Sequence, residues 1–196
     1  MNNQEKTESK MPLFRSTFFS FTDSDGYLIN QDNLTCVEIT KKSLMVLRTS
    51  KDLISNKKVA KELFNVKLPN PPSVTSGSND AKCFWISPDE FWLLYNSKYK
   101  ADMISQSETL PKGVSMTDNS AAYGILEFTG KSADNLLARW MSYDLSGSLI
   151  DGKAVSTTLG QAPVFVWRDN QKILMMVRHS FSHYVLGLLK DSAQRI

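Results

Sequence analysis

The stretch "CFWISPDEFWLLYNS", Cys83 to Ser97, places two adjacent carboxylates, Asp89 and Glu90, between aromatic blocks. A general acid and base pair needs two carboxyl groups facing one substrate with separated pKa values. Neighbours in an extended segment point to opposite faces, Pro88 fixes one backbone torsion and Asp favours turns, so the pair is expected to mark a hairpin. In "HSFSH", His179 and His183 have the i, i+4 spacing that puts two rings on one helical face, as metal-binding helices do. No Glu lies between them in a His-Glu-x-x-His pattern and no cysteine pair has metal spacing, so partnership with backbone or acids is expected. "TDSDGYLINQDN", from Thr22, has the look of a calcium loop, but Gly26 follows the second Asp at once and no Glu closes a twelve-residue loop; it reads as a turn.

Other catalytic signatures do not occur. The chain has no Gly-x-Ser-x-Gly, no phosphate loop and no dinucleotide glycine fingerprint, and its nine glycines offer no phosphate cradle. No catalytic, cofactor-binding or metal-binding residue is therefore assigned. Trp85, Phe91, Trp92, Trp140, Phe165 and Trp167 could line a ligand pocket or an interface, since such residues dominate both, with core packing the expected role. Strands with so few polar alternations suggest sheets covered on both faces, a cover that a partner surface could complete.

The elements that must hold these residues follow from periodicity and turn chemistry. "LTCVEIT" and "SLMVLRT" read as two strands rich in branched residues with Lys41 and Lys42 in the turn. "KDLISNKKVAKELF", Lys51 to Phe64, has helical spacing of Leu53, Ile54, Val59, Leu63 and Phe64, with Thr49 or Ser50 as N-cap. The proline-rich "LPNPPSVTSGSND" reads as an irregular connection. Cys83 to Ile86 and Phe91 to Tyr95 are then two strands around the "SPDE" turn, and Ser97 to Ser107 a polar helix. The second half repeats this order: strand "AYGILEFTG", helix "KSADNLLARWM", long connection "SYDLSGSLIDGKAVST", strands "APVFVWR" and "KILMMVR" around "DNQ", and helix "HSFSHYVLGLLKDS" capped by His179 or Ser180. The pattern predicts an α+β fold of two similar strand-helix-strand-strand-helix halves, about 34–108 and 121–191, within one domain spanning 15–196.

The remaining composition names no partner. At 196 residues the chain can bury roughly 70% of its extended surface and needs no metal or disulfide to form a core. With 41% hydrophobic and 22% charged residues it has an ordinary globular composition, and its net charge of +3 is spread among acids and hydroxyls. The densest basic run, "NKKVAK" at Asn56 to Lys61, reads as a wet helix face without the aromatic interleaving of a nucleic-acid site. Cys36 and Cys83 are expected to be buried free thiols of a reducing cytoplasm. Residues 1–14 open on the polar "MNNQEKTESK", lack the apolar core of a signal peptide and are expected to be a disordered tail. "ILMMV" and "YVLGLL" fall short of the roughly 20 residues that cross a bilayer.

Together these phrases carry a family resemblance. "SPDEFWLL" is similar to the Gly-Pro-Asp-Glu-Trp-Leu-Leu hairpin of the gamma subunit of heterotetrameric sarcosine oxidase, with Ser87 for the usual Gly. "MTDNSAAYGILEFTGKSADNLLARWMSYDL" resembles that family's ordered motifs: Asp118 with Ser120, Leu126 to Gly130, Ala133 to Leu137, and Asp144 with Leu145. The close "VWRDNQKILMMVRHSFSHYVLGLL" resembles its terminal Arg-Ser-Phe-Ala helix, with His179 inserted between Arg178 and Ser180. The resemblance covers about Leu34 to Leu189.

It implies a noncatalytic subunit, similar in fold to the folate-binding aminomethyltransferase-like domain, in a cytoplasmic complex with alpha, beta and delta subunits. The complex would demethylate sarcosine oxidatively to glycine, yielding hydrogen peroxide and formaldehyde or methylenetetrahydrofolate. FAD, FMN, NAD, zinc and tetrahydrofolate would all sit on the other subunits, with none on this chain, and neither nucleic acid nor membrane would be a partner. The inserted His179 and Ser87 leave room for a related N-methyl amino acid dehydrogenase. A free-standing folate-binding protein is the alternative; the iron-sulfur repair version of that fold carries a Lys-Gly-Cys-Tyr-x-Gly-Gln-Glu motif that this sequence lacks, and glycine-cleavage transferases are much longer.

Overall fold

Strict alternation along each central strand builds this fold. In "KILMMVR" the side chains of Ile173, Met175 and Val177 enter one apolar cluster, while Leu174 and Met176 enter another on the opposite face. In "EFWLLYN" Phe91, Leu93 and Tyr95 point one way, with Trp92 and Leu94 the other. Such strands are apolar on both faces and must be covered on both. The computed structural model describes residues 16–50, 57–58, 61–62 and 65–196, and within them the cover is found.

The first sheet contains β1 (Tyr27–Gln31), β2 (Leu34–Glu38), β8 (Tyr123–Thr129), β9 (Ala154–Leu159), β10 (Ala162–Asp169) and β11 (Lys172–Arg178), in the order β1-β2-β8-β11-β10-β9. The second contains β3 (Lys42–Thr49), β4 (Val74–Ser76), β5 (Lys82–Ser87), β6 (Glu90–Asn96) and β7 (Val114–Asp118), in the order β4-β5-β6-β3-β7. All pairings within them are antiparallel. Among the described residues the α-helices with full bounds are α1 (Lys100–Ser107), α2 (Ala133–Ala138), α3 (Leu145–Ser148) and α4 (Ser182–Ala193).

The two sheets stack face to face. Leu44, Phe84 and Leu94 of the second meet Ile125, Phe165, Trp167, Leu174 and Met176 of the first in one buried layer. The outer face of the first sheet packs on α2, α3 and α4 through residues such as Leu136, Leu145 and Leu189, and that of the second on Tyr99 and Met103 at the start of α1. Helices, sheet, sheet and helix thus form four layers, the expected α+β class. Each sheet covers the second face of the other, so no partner is required for that purpose.

The orders β4-β5-β6-β3 and β9-β10-β11-β8 match strand for strand, with the β5–β6 and β10–β11 hairpins in equivalent positions. The strand leading into each unit crosses to the other's sheet: β2 pairs with β8, and β7 pairs with β3. This exchange corrects the expected turn at Lys41–Lys42. β2 and β3 are not a hairpin; Ile39 donates to the Ile125 carbonyl (2.8 Å) as the chain leaves one sheet, and Lys42 already belongs to β3. The connections also hold more structure than expected, with β4 inside the proline-rich segment and α3 and the start of β9 inside "SYDLSGSLIDGKAVST". β4 and β9 are short-range silent in sequence because edge strands take their order from the neighbour they pair with. The terminal helix has Phe181 at its N-cap with no side-chain cap, so neither His179 nor Ser180 fills that role. The disordered tail expected at 1–14 and the helix expected over Lys51 to Phe64 lie outside the described residues, apart from 57–58 and 61–62, which are helical.

Candidate functional site

The β2–β3 and β7–β8 crossings meet at one seam between the sheets, where Glu38, Lys42, Ser43 and Ser120 come together. Asp118, at the end of β7, accepts hydrogen bonds on Oδ1 from the Ser120 amide (3.0 Å) and hydroxyl (2.5 Å), while Ser120 Oγ accepts from the Leu44 amide of β3 (3.0 Å). The Asn119 amide donates to the Leu44 carbonyl (2.9 Å). The Asp-x-Ser pair is therefore a clasp that ties the crossing chain to β3. Glu38 makes a second clasp, accepting from Ser16 Oγ (2.5 Å) and the Phe18 amide (3.1 Å). Between them lies a cleft of about 150 Å³ lined by Glu38, Lys42, Ser43, Ser120, Tyr123 and His179, among others. Its volume is below the roughly 300 Å³ at which small-molecule pockets usually begin.

Electrostatics at the seam serve to hold charges in place. Partial burial raises the Asp118 carboxyl, but hydrogen bonds from Lys100 and Ser120 and the Lys100 charge, 2.7 Å away, outweigh it and keep the group below its ordinary value. Tyr95 is 2% exposed, and its hydroxyl has no hydrogen-bond partner of good geometry. Burial, helped by the Asp118 charge and opposed by the nearby Ser43 hydroxyl, pushes it up to about 12. Tyr95 and Ser43 were invisible as a pair in sequence, because only the β3–β6 register sets them opposite one another.

The residues singled out by sequence do not assemble into a reacting centre. Asp89 accepts from Ser87 Oγ (2.6 Å) in the hairpin loop, whereas Glu90 accepts from the Trp92 indole (2.8 Å) and pairs with Arg48 (2.6 Å). The two carboxylates have separate partners, as the turn reading expects. His179 reaches the cleft, but His183 packs edge-on against Phe21 with ring centroids 4.6 Å apart. Among the described residues no group of three or more His, Cys, Asp or Glu side chains converges as metal ligands would. Asp23 accepts from the Asp25 (3.0 Å) and Tyr27 (2.8 Å) amides and so closes the turn before β1. Cys36 and Cys83 are buried free thiols in different layers; burial pushes both up, Cys83 to about 12.

The aromatic residues divide by position. Trp167 and Phe165 join Phe84 and Trp92 between the sheets, with Phe84 and Phe165 edge to face at 5.2 Å. Phe91 and the half-buried Trp85 pack under the second sheet's outer layer, and Trp140 alone of the tryptophans is exposed. Arg168, to which no sequence motif assigns a role, binds through its guanidinium to Asp134 (2.7 Å) and the Leu149 (2.7 Å) and Leu145 (3.1 Å) carbonyls, fastening β10 to α2 and α3. Asp144 caps α3 by accepting from the Gly147 amide (3.0 Å) and Ser148 hydroxyl (3.1 Å), which holds its carboxyl below the ordinary value.

Fold and site together define a protein of the two-sheet α+β class, in which Asp118, Ser120 and Glu38 clasp chain crossings. The chain belongs to the sarcosine oxidase gamma subunit family, whose model matches residues 57–195. Its structure is similar to a chain of the heterotetrameric sarcosine oxidase from Corynebacterium sp. U-96, with a TM-score of 0.79 and 21% identity over 93% of this chain and 95% of that one. It is also similar to the glycine cleavage system aminomethyltransferase T from Bartonella henselae, with a TM-score of 0.62 and 13% identity over 80% of this chain and 45% of that one. No curated protein sequence matches the chain.

Proposed function

We propose that this chain is the noncatalytic gamma subunit of a cytoplasmic, heterotetrameric sarcosine oxidase. Alpha, beta and delta subunits would carry the flavins, NAD, tetrahydrofolate and zinc, and would convert sarcosine to glycine with hydrogen peroxide and formaldehyde or methylenetetrahydrofolate. The observation that carries this reading is membership of the gamma subunit family across residues 57–195. The use of Asp89, Glu90, Asp118, Asp144 and Arg168 in turns, clasps and caps supports a structural role.

The test is affinity purification of the full chain from its native cells, with identification of its partners, an absorbance spectrum and a sarcosine oxidation assay. Two large chains, one small cysteine-rich chain and a yellow complex active on sarcosine are expected. A chain that oxidises sarcosine alone, or holds stoichiometric flavin alone, would overturn the noncatalytic reading; a colourless, partnerless chain would overturn the subunit reading. The fold shared with an aminomethyltransferase favours one second reading, a free-standing folate-binding protein. Saturable binding of tetrahydrofolate to the isolated chain would select it.

A further inference from the structure

Lys42, Lys82, Lys100 and Lys172 each hold a carboxylate partner. Lys57, Lys61 and Lys67 hold none among the described residues, yet all three border one concavity of about 530 Å³. No carboxylate among the described residues lines it. Lys58, next in sequence to Lys57, pairs instead with Glu62 (3.8 Å) and lies outside the concavity. The volume falls within the range of small-molecule pockets.

Local structure brings the three cations together. Lys57 and Lys61 are helical and four residues apart, so they share a face, and like charges at that spacing destabilise a helix. Asn65 then turns the chain at φ +46°, a torsion that Asn tolerates better than most residues. Val66 and Leu68 beyond it are buried in the second sheet's outer layer, which leaves Lys67 between them facing outward. The Thr75 hydroxyl donates to the Lys67 carbonyl and fixes this segment to β4. A single solvated lysine is ordinary, but three around one concavity repel one another and focus a positive field into it. Lysines act as point charges without the planar fork of arginine, so they select a ligand by its charge more than by its shape.

We propose that Lys57, Lys61 and Lys67 form a binding site for a small organic anion carrying two or more negative charges on carboxylate or phosphate oxygens. This goes beyond the subunit reading and does not depend on it. The test is calorimetric titration of the full chain at low salt with citrate, pyrophosphate and acetate. Citrate or pyrophosphate is expected to bind saturably and one to one, the tighter of the two separating a polycarboxylate from a phosphate ligand, whereas acetate is expected not to saturate. Lys57→Gln, Lys61→Gln and Lys67→Gln are each expected to weaken binding about fivefold or more. Lys58→Gln makes the same charge change beside Lys57 and is expected to leave binding within about twofold of the wild type. Without ligand, Lys61→Gln is expected to raise the unfolding temperature slightly, and the rise that the bound anion gives the wild type should shrink in this variant.

Failure of both citrate and pyrophosphate to bind saturably overturns the site. So does an equal loss with Lys58→Gln and with each of the three pocket variants, which would reduce the effect to net charge. A single-stranded oligonucleotide that binds more tightly than either anion, and is displaced by neither, would also overturn it in favour of a nucleic-acid surface.

Discussion

Individual residues in this chain do chemistry on one another. The Asp118 carboxylate, stabilised by Lys100 and Ser120, is held below its ordinary value, so its contribution to stability is present above the unfolded carboxylate value and is lost as pH falls through the lower folded value. Ser120→Ala removes both the hydroxyl given to Asp118 and the acceptor of the Leu44 amide. It is expected to cost about 1–2 kcal/mol in urea unfolding at pH 7, with a weaker acid dependence than the wild type. Tyr95 has the opposite sign: its folded value of about 12 lies above the unfolded 10, so its contribution is full below pH 10 and lost as pH rises towards 12. Tyr95→Phe is expected to unfold less readily than the wild type between pH 10 and 12. Near neutral pH its stability should stay within about 1 kcal/mol, because the lost hydroxyl has no good partner to leave behind. Equal alkaline loss in both proteins would assign the effect to other groups.

At the scale of elements, close backbone approach explains a residue that pattern reading treats only as punctuation. Gly130 follows β8 at φ +102°, and a Cβ there would collide with the Asn33 carbonyl oxygen in the β1–β2 turn. Its place in the Leu126 to Gly130 motif is therefore dictated by two chain segments in contact as well as by a left-handed torsion. Gly130→Ala is expected to cost more than about 1 kcal/mol, against the modest gain such a change brings where the torsion is permissive, as read by thermal unfolding. Helix ends were harder to read. Ser180 has the right chemistry for a cap, but a 3-10 turn at His179–Phe181 precedes α4 and moves the helix start beyond it.

For the whole molecule the layer between the sheets is decisive, since Trp167, Phe165 and Phe84 bring the two strand units into one core. Trp167→Ala is expected to lower stability by about 3–5 kcal/mol and to leave a single unfolding transition, because neither sheet keeps a covered inner face when the other is lost. Two separate transitions by fluorescence and circular dichroism would show that the sheets fold independently.

Residue order alone determined a good deal. The apolar runs in "KILMMVR" and "EFWLLYN", the Pro88–Asp89 turn and its counterpart at Asn170, and the ordered motifs from Asp118 to Leu145 made the α+β class and the family resemblance legible, because they depend on residue types and torsions within a few residues. Tertiary structure alone decided that β2 and β7 exchange sheets, that each sheet supplies the other's missing cover, and that Asp118 and Ser120 fasten Leu44 from far along the chain. Those outcomes depend on pairing between strands of similar apolar pattern, and local propensity is the same whichever neighbour a strand takes; only the burial of both faces at once selects among them.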